Sequence, residues 1–160
     1  MSVDGVPVTA DTREAYRQRF SAVFSDFHLF SRLLGIAGPD VDGTARRHLE
    51  LLQLRHCVDV RDGVFTTLQL SQGQRKRLAL LVARLEGRDI YLFDEWAADQ
   101  DQTFREHFYR RLLPELRDAG KTAFVISHDE RYYDAADRLL KLELGQIVSD
   151  VQLVPAVART

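Results

Sequence analysis

Two hydrophobic rhythms alternate in the second half of the chain. Leu78, Leu81, Val82 and Leu85 recur at i, i+3, i+4 and i+7, which predicts an amphipathic helix with Arg75, Lys76 and Arg84 turned away. Gly87 ends it. Residues 90–93, IYLF, are an unbroken apolar run and predict a strand covered on both faces. Asp101 then caps a helix whose stripe is Phe104, Phe108, Leu112 and Leu116, kinked at Pro114 because proline removes a backbone donor. Gly120 closes that helix. Residues 122–127, TAFVIS, predict a second buried strand, residues 129–136 a short helix, and residues 139–148 a hairpin turning near Gly145. The tail past Asp150 is expected to fray.

The first half is less regular. Residues 1–10 alternate around Asp4-Gly5 and predict a short hairpin. Asp11 or Thr12 caps a brief helix through Arg19, and residues 20–24, FSAVF, predict a strand. Residues 25–30, SDFHLF, read as a loop feeding a short helix that ends at Gly35, and Gly38-Pro39-Asp40 breaks the chain. From Thr44, Ala45, Leu49 and Leu52 share a helix face. Residues 58–70 lack a period and predict an irregular surface segment. From Arg75 the order is helix, strand, helix, strand, helix, hairpin. Long crossovers between apolar strands require parallel pairing and helices on both faces of a sheet, an α/β fold. All strands of such a sheet end at one edge, so Asp94 and Glu95, which follow IYLF, reach the same edge as His128. Neighbouring strands lie roughly 4.8 Å apart, and open α/β sheets bind ligands at that edge.

Composition narrows the class. The chain has 160 residues, 45% hydrophobic and 29% charged, as for one globular domain. A net charge of −2 with interspersed signs leaves no footprint for nucleic acid or an anionic membrane. The single Cys57 cannot form an internal disulfide, which fits a reducing compartment. No apolar run is long enough for a bilayer, so a membrane role is expected to come through a partner or through sequence beyond these residues.

The acid pair permits a division of labour. One carboxylate can hold Mg²⁺ through water, and the other can orient and deprotonate an attacking water. A nearby imidazole can donate to a terminal phosphate oxygen. Singly, a solvated strand end and a surface histidine are the commoner readings; together at one edge they favour a site. The turn LSQGQ at residues 70–74 supplies a hydroxyl, a glycine backbone and helix N-terminal amides. It is either an anion site or an ordinary cap at Ser71, and spacing does not separate the two.

LSQGQRKRLALL, IYLFDEWAADQD and VISHD, in that order, resemble the ATP-binding cassette family. Within it, FSDFHLF and FDEWAADQD are similar to the ATPase halves of bacterial cyclic-peptide and siderophore-peptide exporters. The resemblance implies a partial P-loop NTPase fold, with a mostly parallel sheet flanked by helices, over residues 1–150. It implies a helical signature subdomain at about residues 29–86 and a tail at 151–160. It also implies ATP and Mg²⁺ as ligands, with Asp94 on the metal side and Glu95 the catalytic carboxylate. His128 would be the switch residue on the γ-phosphate. Ser71, Gln72, Gly73 and Gln74 would form the signature turn that meets nucleotide held by an opposite subunit, with Asp101 reaching across the dimer. The implied partners are a second ATPase domain and a transmembrane domain, at the cytoplasmic face of the bacterial inner membrane, with no nucleic acid.

Three positions depart from the family pattern. Gln72 stands where the wider family has glycine, and Trp96 where it has proline. Ser25 replaces a glutamine that contacts Mg²⁺; its hydroxyl can still meet a metal-bound water. A phosphate-cradling G-x-x-x-x-G-K-[ST] is missing, since Gly120-Lys121-Thr122 is preceded five positions earlier by Glu115 and runs from helix to strand. The expectation is the carboxyl-terminal part of a transporter, inactive alone. The resemblance places a P-loop strand beside the Asp94 strand, so an open apolar edge is expected in the sheet centre, favouring association. The alternatives are a non-enzymatic fragment that docks on or competes with an intact ATPase half, and a soluble cassette ATPase. The lack of a heptad arm or basic face argues against the latter.

Overall fold

In the computed structural model, which describes residues 2–3, 5–24 and 26–153, the chain opens with β1 (Ser2–Val3) antiparallel to β2 (Val6–Pro7). The expected hairpin forms there, with Asp4 outside the described residues. Helix α1 (Arg13–Arg17) ends short of Arg19, and its cap residue Thr12 bonds Thr9 through its hydroxyl instead of the helix backbone. β3 (Phe20–Val23) follows. The short helix expected to end at Gly35 does not form among the described residues 26–34; the chain is tied there by a bridge between Arg32 and Val64. Asp40 caps α2 (Val41–Leu51) by accepting from the Gly43 N–H, so the helix starts three residues before Thr44. Residues 58–70 are not a loose surface run. They hold β4 (Val60–Arg61) and β5 (Val64–Phe65), with Val58, Val60 and Phe65 buried.

The regular half begins at α3 (Gln72–Glu86), closed by Gly87 at φ 65°. β6 (Ile90–Asp94) leads to a 3-10 turn, Trp96–Asp99. Asp101 caps α4 (Gln102–His107) by accepting from the Phe104 N–H. Pro114 does not sit within one continuous α-helix. The helix widens into a π-turn over Phe108–Leu112, and α5 (Leu113–Asp118) restarts with the proline in its first turn, where no donor is required. β7 (Thr122–Ile126), a 3-10 turn (Glu130–Ala135) and the hairpin β8 (Arg138–Glu143) with β9 (Gln146–Gln152) complete the chain. β9 passes Asp150 without fraying; residues past 153 lie outside the description.

β3, β6 and β7 form a parallel sheet in that order, with Val23 opposite Phe93 and Asp94 opposite Ile126. Ser21, Val23, Tyr91 and Phe93 face the core, where Phe93 meets Phe108 at 5.3 Å and α3 packs on β3. The opposite face is open: Ala22 is exposed, and Phe124 and Ile126 are 52% and 50% exposed. Coverage on both faces is thus corrected to coverage on one. The expected free edge beside β6 is also corrected, because β3 and β7 occupy both its sides. Among the described residues the outer edge of β7 carries no further strand.

One half-buried imidazole makes stability depend on pH. Burial first, then Arg84 and Arg47, push His48 of α2 down from 6.5 to about 4. The unfolded chain takes up this proton more readily. The contribution is therefore complete above the ordinary histidine value and is lost as pH falls toward about 4. Melting temperature is expected to drop across that interval, with a shallower slope in His48→Gln, as thermal melts at graded pH will show.

Candidate nucleotide site

The parallel register puts the ends of β6 and β7 side by side, and the site grows from those ends. Asp94 is the last residue of β6. Glu95 extends the pairing by donating its N–H to the Ile126 carbonyl at 3.1 Å, then turns sharply at φ 46° and ψ 34°. Its carboxylate lies 2.9 Å from His128 Nε2. A cavity of about 360 Å³ opens there, lined in part by Glu95, Ser127, His128, Asp129, Arg105 and Arg131.

The turn that presents His128 is held from several directions. Ser127 Oγ accepts from Tyr109 Oη at 2.8 Å and from the Asp129 N–H at 3.1 Å. Tyr109 stacks on Tyr132 at 4.3 Å. Arg131, and then Arg105, hold the Asp129 carboxyl down to about 2, so it stays ionised as a brace. Arg105 also donates to the Gln100 carbonyl, which links the His128 turn to the segment after Glu95.

The signature turn stands apart from this cavity. Ser71 caps α3 with a full capping box: its Oγ accepts from the Gln74 N–H at 3.3 Å, and the Gln74 side chain accepts from the Ser71 N–H at 3.0 Å. Ser71 and Gln72 are exposed. Gln100 Nε2 donates to the Gly73 carbonyl, and Arg77 bonds Gln100 and Asp101 while lying 3.5 Å over the Phe104 ring. The Phe104 N–H, and then Arg77, hold the Asp101 carboxyl below its ordinary value.

A Cβ on Gly73 would lie 2.8 Å from the Asp99 carbonyl oxygen. Gly73→Ala is therefore expected to push α3 off residues 99–100. Gain in helix propensity offsets part of this strain, leaving a net loss of about 1–2 kcal/mol in a urea melt.

The structure thus gathers Glu95 and His128, sets Asp94 at the same edge, and keeps Ser71, Gln72, Gly73 and Gln74 on a neighbouring surface beside Asp101. Ser25 lies outside the described residues. Among those described, no cluster of three or more His, Cys, Asp or Glu could hold a metal ion. One carboxylate at a strand end suits Mg²⁺, which keeps waters and takes phosphate oxygens. Lys76, expected on the solvated side of its helix, is only 2% exposed. Sequence reasoning also missed Ser127, Arg105, Tyr109, Arg77 and Gln100. The one available signal was the length of the charged and polar run around 71–77.

Among the described residues no helix is long and apolar enough to cross a membrane. The profile of the ABC transporter family matches residues 1–98. The ATP-binding protein SyrD of Pseudomonas syringae pv. syringae is 52% identical over 153 residues, 94% of this chain and 27% of SyrD. The probable syringafactin export ATP-binding/permease protein SyfD of P. syringae pv. syringae strain B728a is 30% identical, covering 86% of this chain and 22% of SyfD. A macrolide export ATP-binding/permease protein MacB of Shewanella sp. strain ANA-3 is also 30% identical, covering 84% and 21%. The chain therefore spans about a quarter of the length of these relatives. In fold it is similar to a dimeric, post-hydrolysis ATP-binding cassette, MJ0796, bound to ADP and Pi. The TM-score is 0.75 at 21% identity, over 96% of this chain and 72% of that one. It is likewise similar to cbiO1 of Clostridium perfringens, with a TM-score of 0.72 at 19% identity, over 93% and 64%. With a family profile covering more than half of it and an α/β architecture to match, this chain is a member of the ABC transporter family.

Proposed function

We propose that the chain is the site-bearing part of an ATP-hydrolysing module in a bacterial exporter of cyclic peptides or siderophore peptides. The observation that carries this reading is the Glu95–His128 pair at 2.9 Å, at the common end of two parallel strands. Glu95 orients a water and takes its proton as that water attacks the γ-phosphorus of ATP. His128 donates to a γ-phosphate oxygen, and its contact with Glu95 keeps both aimed at one point. Asp94, with Ser25 as a further contact, would hold the water shell of Mg²⁺, which when bound would supply positive charge against the phosphate oxygens. Ser71 and Gly73, with Gln72 and Gln74, meet the nucleotide of a second ATPase domain, and Asp101 faces that domain. Closing two such modules on ATP moves an attached transmembrane domain at the cytoplasmic face of the inner membrane. The relatives named for export, SyfD and MacB, support this reading.

The 160 residues contain no phosphate-cradling lysine loop, so the chain alone is expected to bind Mg-ATP more weakly than micromolar and not to turn it over. Calorimetric titration tests the binding, and micromolar affinity would refute the expectation. The proposal itself is tested by ATP turnover when the chain is combined with a polypeptide that supplies such a loop.

A second reading is favoured by the exposure of Ser71 and Gln72 away from the Glu95 cavity. In it the chain lends its signature turn to an intact ATPase half without hydrolysing nucleotide itself. ATP-dependent capture of that half that vanishes in Ser71→Ala, with turnover of the captured complex unchanged in Glu95→Gln, supports this reading over the first.

A further inference from the structure

Long charged side chains are almost never fully buried unless they are paired. Lys76 is buried in the second turn of α3, and its ammonium has two partners. Nζ lies 2.7 Å from Asp99 Oδ2 and donates to the Glu95 carbonyl oxygen at 3.1 Å. The same Asp99 oxygen accepts from Gln72 Nε2 at 3.2 Å. The Trp96 indole N–H donates to the Lys76 carbonyl at 3.0 Å. Gln72 and Trp96, two of the positions at which the chain departs from the wider family pattern, therefore converge on Lys76 and its partner Asp99.

The backbone of Glu95 gives this junction a purpose. At φ 46° Glu95 occupies the left-handed region, which a residue with a side chain keeps only when its surroundings hold it there. β7 holds the N–H side through Ile126. Lys76 holds the carbonyl side. The Ala98 N–H also donates to that carbonyl, at 3.2 Å, so removing the ammonium leaves one hold of two, and a rotation of the loosened peptide would carry the carboxylate away from His128.

We propose that Lys76 is a positioning residue: its ammonium fixes the left-handed backbone of Glu95 and, through Asp99 and Gln72, makes the signature turn and the Glu95 carboxylate move as one body. Its catalytic meaning rests on the roles proposed above, but its physical content does not. In an assembled dimer the two features would serve different nucleotides, so Lys76 would couple them inside a single subunit.

Amide exchange and imidazole NMR on the 160-residue chain test this without nucleotide. The Ala98 N–H donates to the Glu95 carbonyl and the Gln100 N–H to the Ala97 carbonyl. In Lys76→Met both amides are expected to exchange at least tenfold faster, and the His128 ring resonances are expected to move. The indole N–H of the single tryptophan should keep its position, because its acceptor is a backbone oxygen. Lys76→Arg, which restores donors and charge, should recover most of the protection. Asp99→Ala, altering a part-exposed carboxylate, should give a smaller change of the same pattern and serves if Lys76→Met does not fold. Unchanged exchange and unchanged His128 resonances would overturn the proposal. So would a uniform loss of protection across α3 and β6, which marks a merely structural lysine. The hydrolytic reading stands or falls separately, on turnover.

Discussion

Glu95→Gln is expected to lower ATP turnover by about 10²- to 10⁴-fold in the complete ATPase, while nucleotide binding is retained. The amide matches the carboxylate in shape and can still bond His128 Nε2, so the left-handed turn and the cavity wall should survive. On the role proposed for Glu95, what disappears is the proton acceptor. Removing a negative charge beside a polyphosphate also relieves repulsion, so apparent affinity should hold or tighten. The check is steady-state hydrolysis alongside equilibrium binding of Mg-ATP. A variant that turns over within threefold of the parent would show that the base is elsewhere, and the functional reading would fail. On the proposed roles, His128→Gln is expected to behave differently, because its loss would remove a donor to the phosphate and leave the base in place.

The second large effect is on stability. Trp96→Ala should destabilise the chain by about 3–5 kcal/mol, the usual cost of emptying a buried aromatic site. Trp96 is 1% exposed, stacks on Phe108 with ring centroids 4.4 Å apart, and lies against Phe93 and Phe104. Its indole bond to Lys76 is lost as well. Domains hold only about 5–15 kcal/mol in total, so the loss is a large share. Chemical denaturation followed by far-ultraviolet circular dichroism measures it, since the substitution removes the only tryptophan. Trp96→Phe keeps a ring in the cluster and should recover more than half. A loss below about 1 kcal/mol would mean that the aromatic cluster closes over the gap.

The convergence of Glu95 and His128 was legible from sequence because it depends only on topology. Two apolar strands joined by a long crossover must run parallel, and their ends then coincide. Asp101 and Gly87 were legible for a local reason, since caps are set by a few neighbouring residues, whereas the cap at Ser71 was one of two readings that spacing left open. Burial was less readable. IYLF looks the same whether helices cover one face of a strand or two, and Phe124 and Ile126 turned out to lie open. Lys76 looked solvated because a helical period records direction but not what stands opposite, and Asp99 stands opposite from 23 residues away. Ser127, Tyr109 and Arg105 act through partners distant in the chain, which no local pattern reveals. The π-turn lies just before Pro114 on the apolar stripe, with Phe108 and Leu112 buried in it, and no local pattern in the sequence announced it.

Among the described residues the outer flank of β7 is bare, which bears on what can pair with it. The 127–129 bend leaves the sheet from the strand with that flank. Any extra ribbon zipping onto it would deliver one of its tips within roughly one ladder spacing, about 4.8 Å, of the bend. Whatever loop that ribbon ended in would lie beside the Glu95 cavity, and its side chains would help decide what the cavity admits.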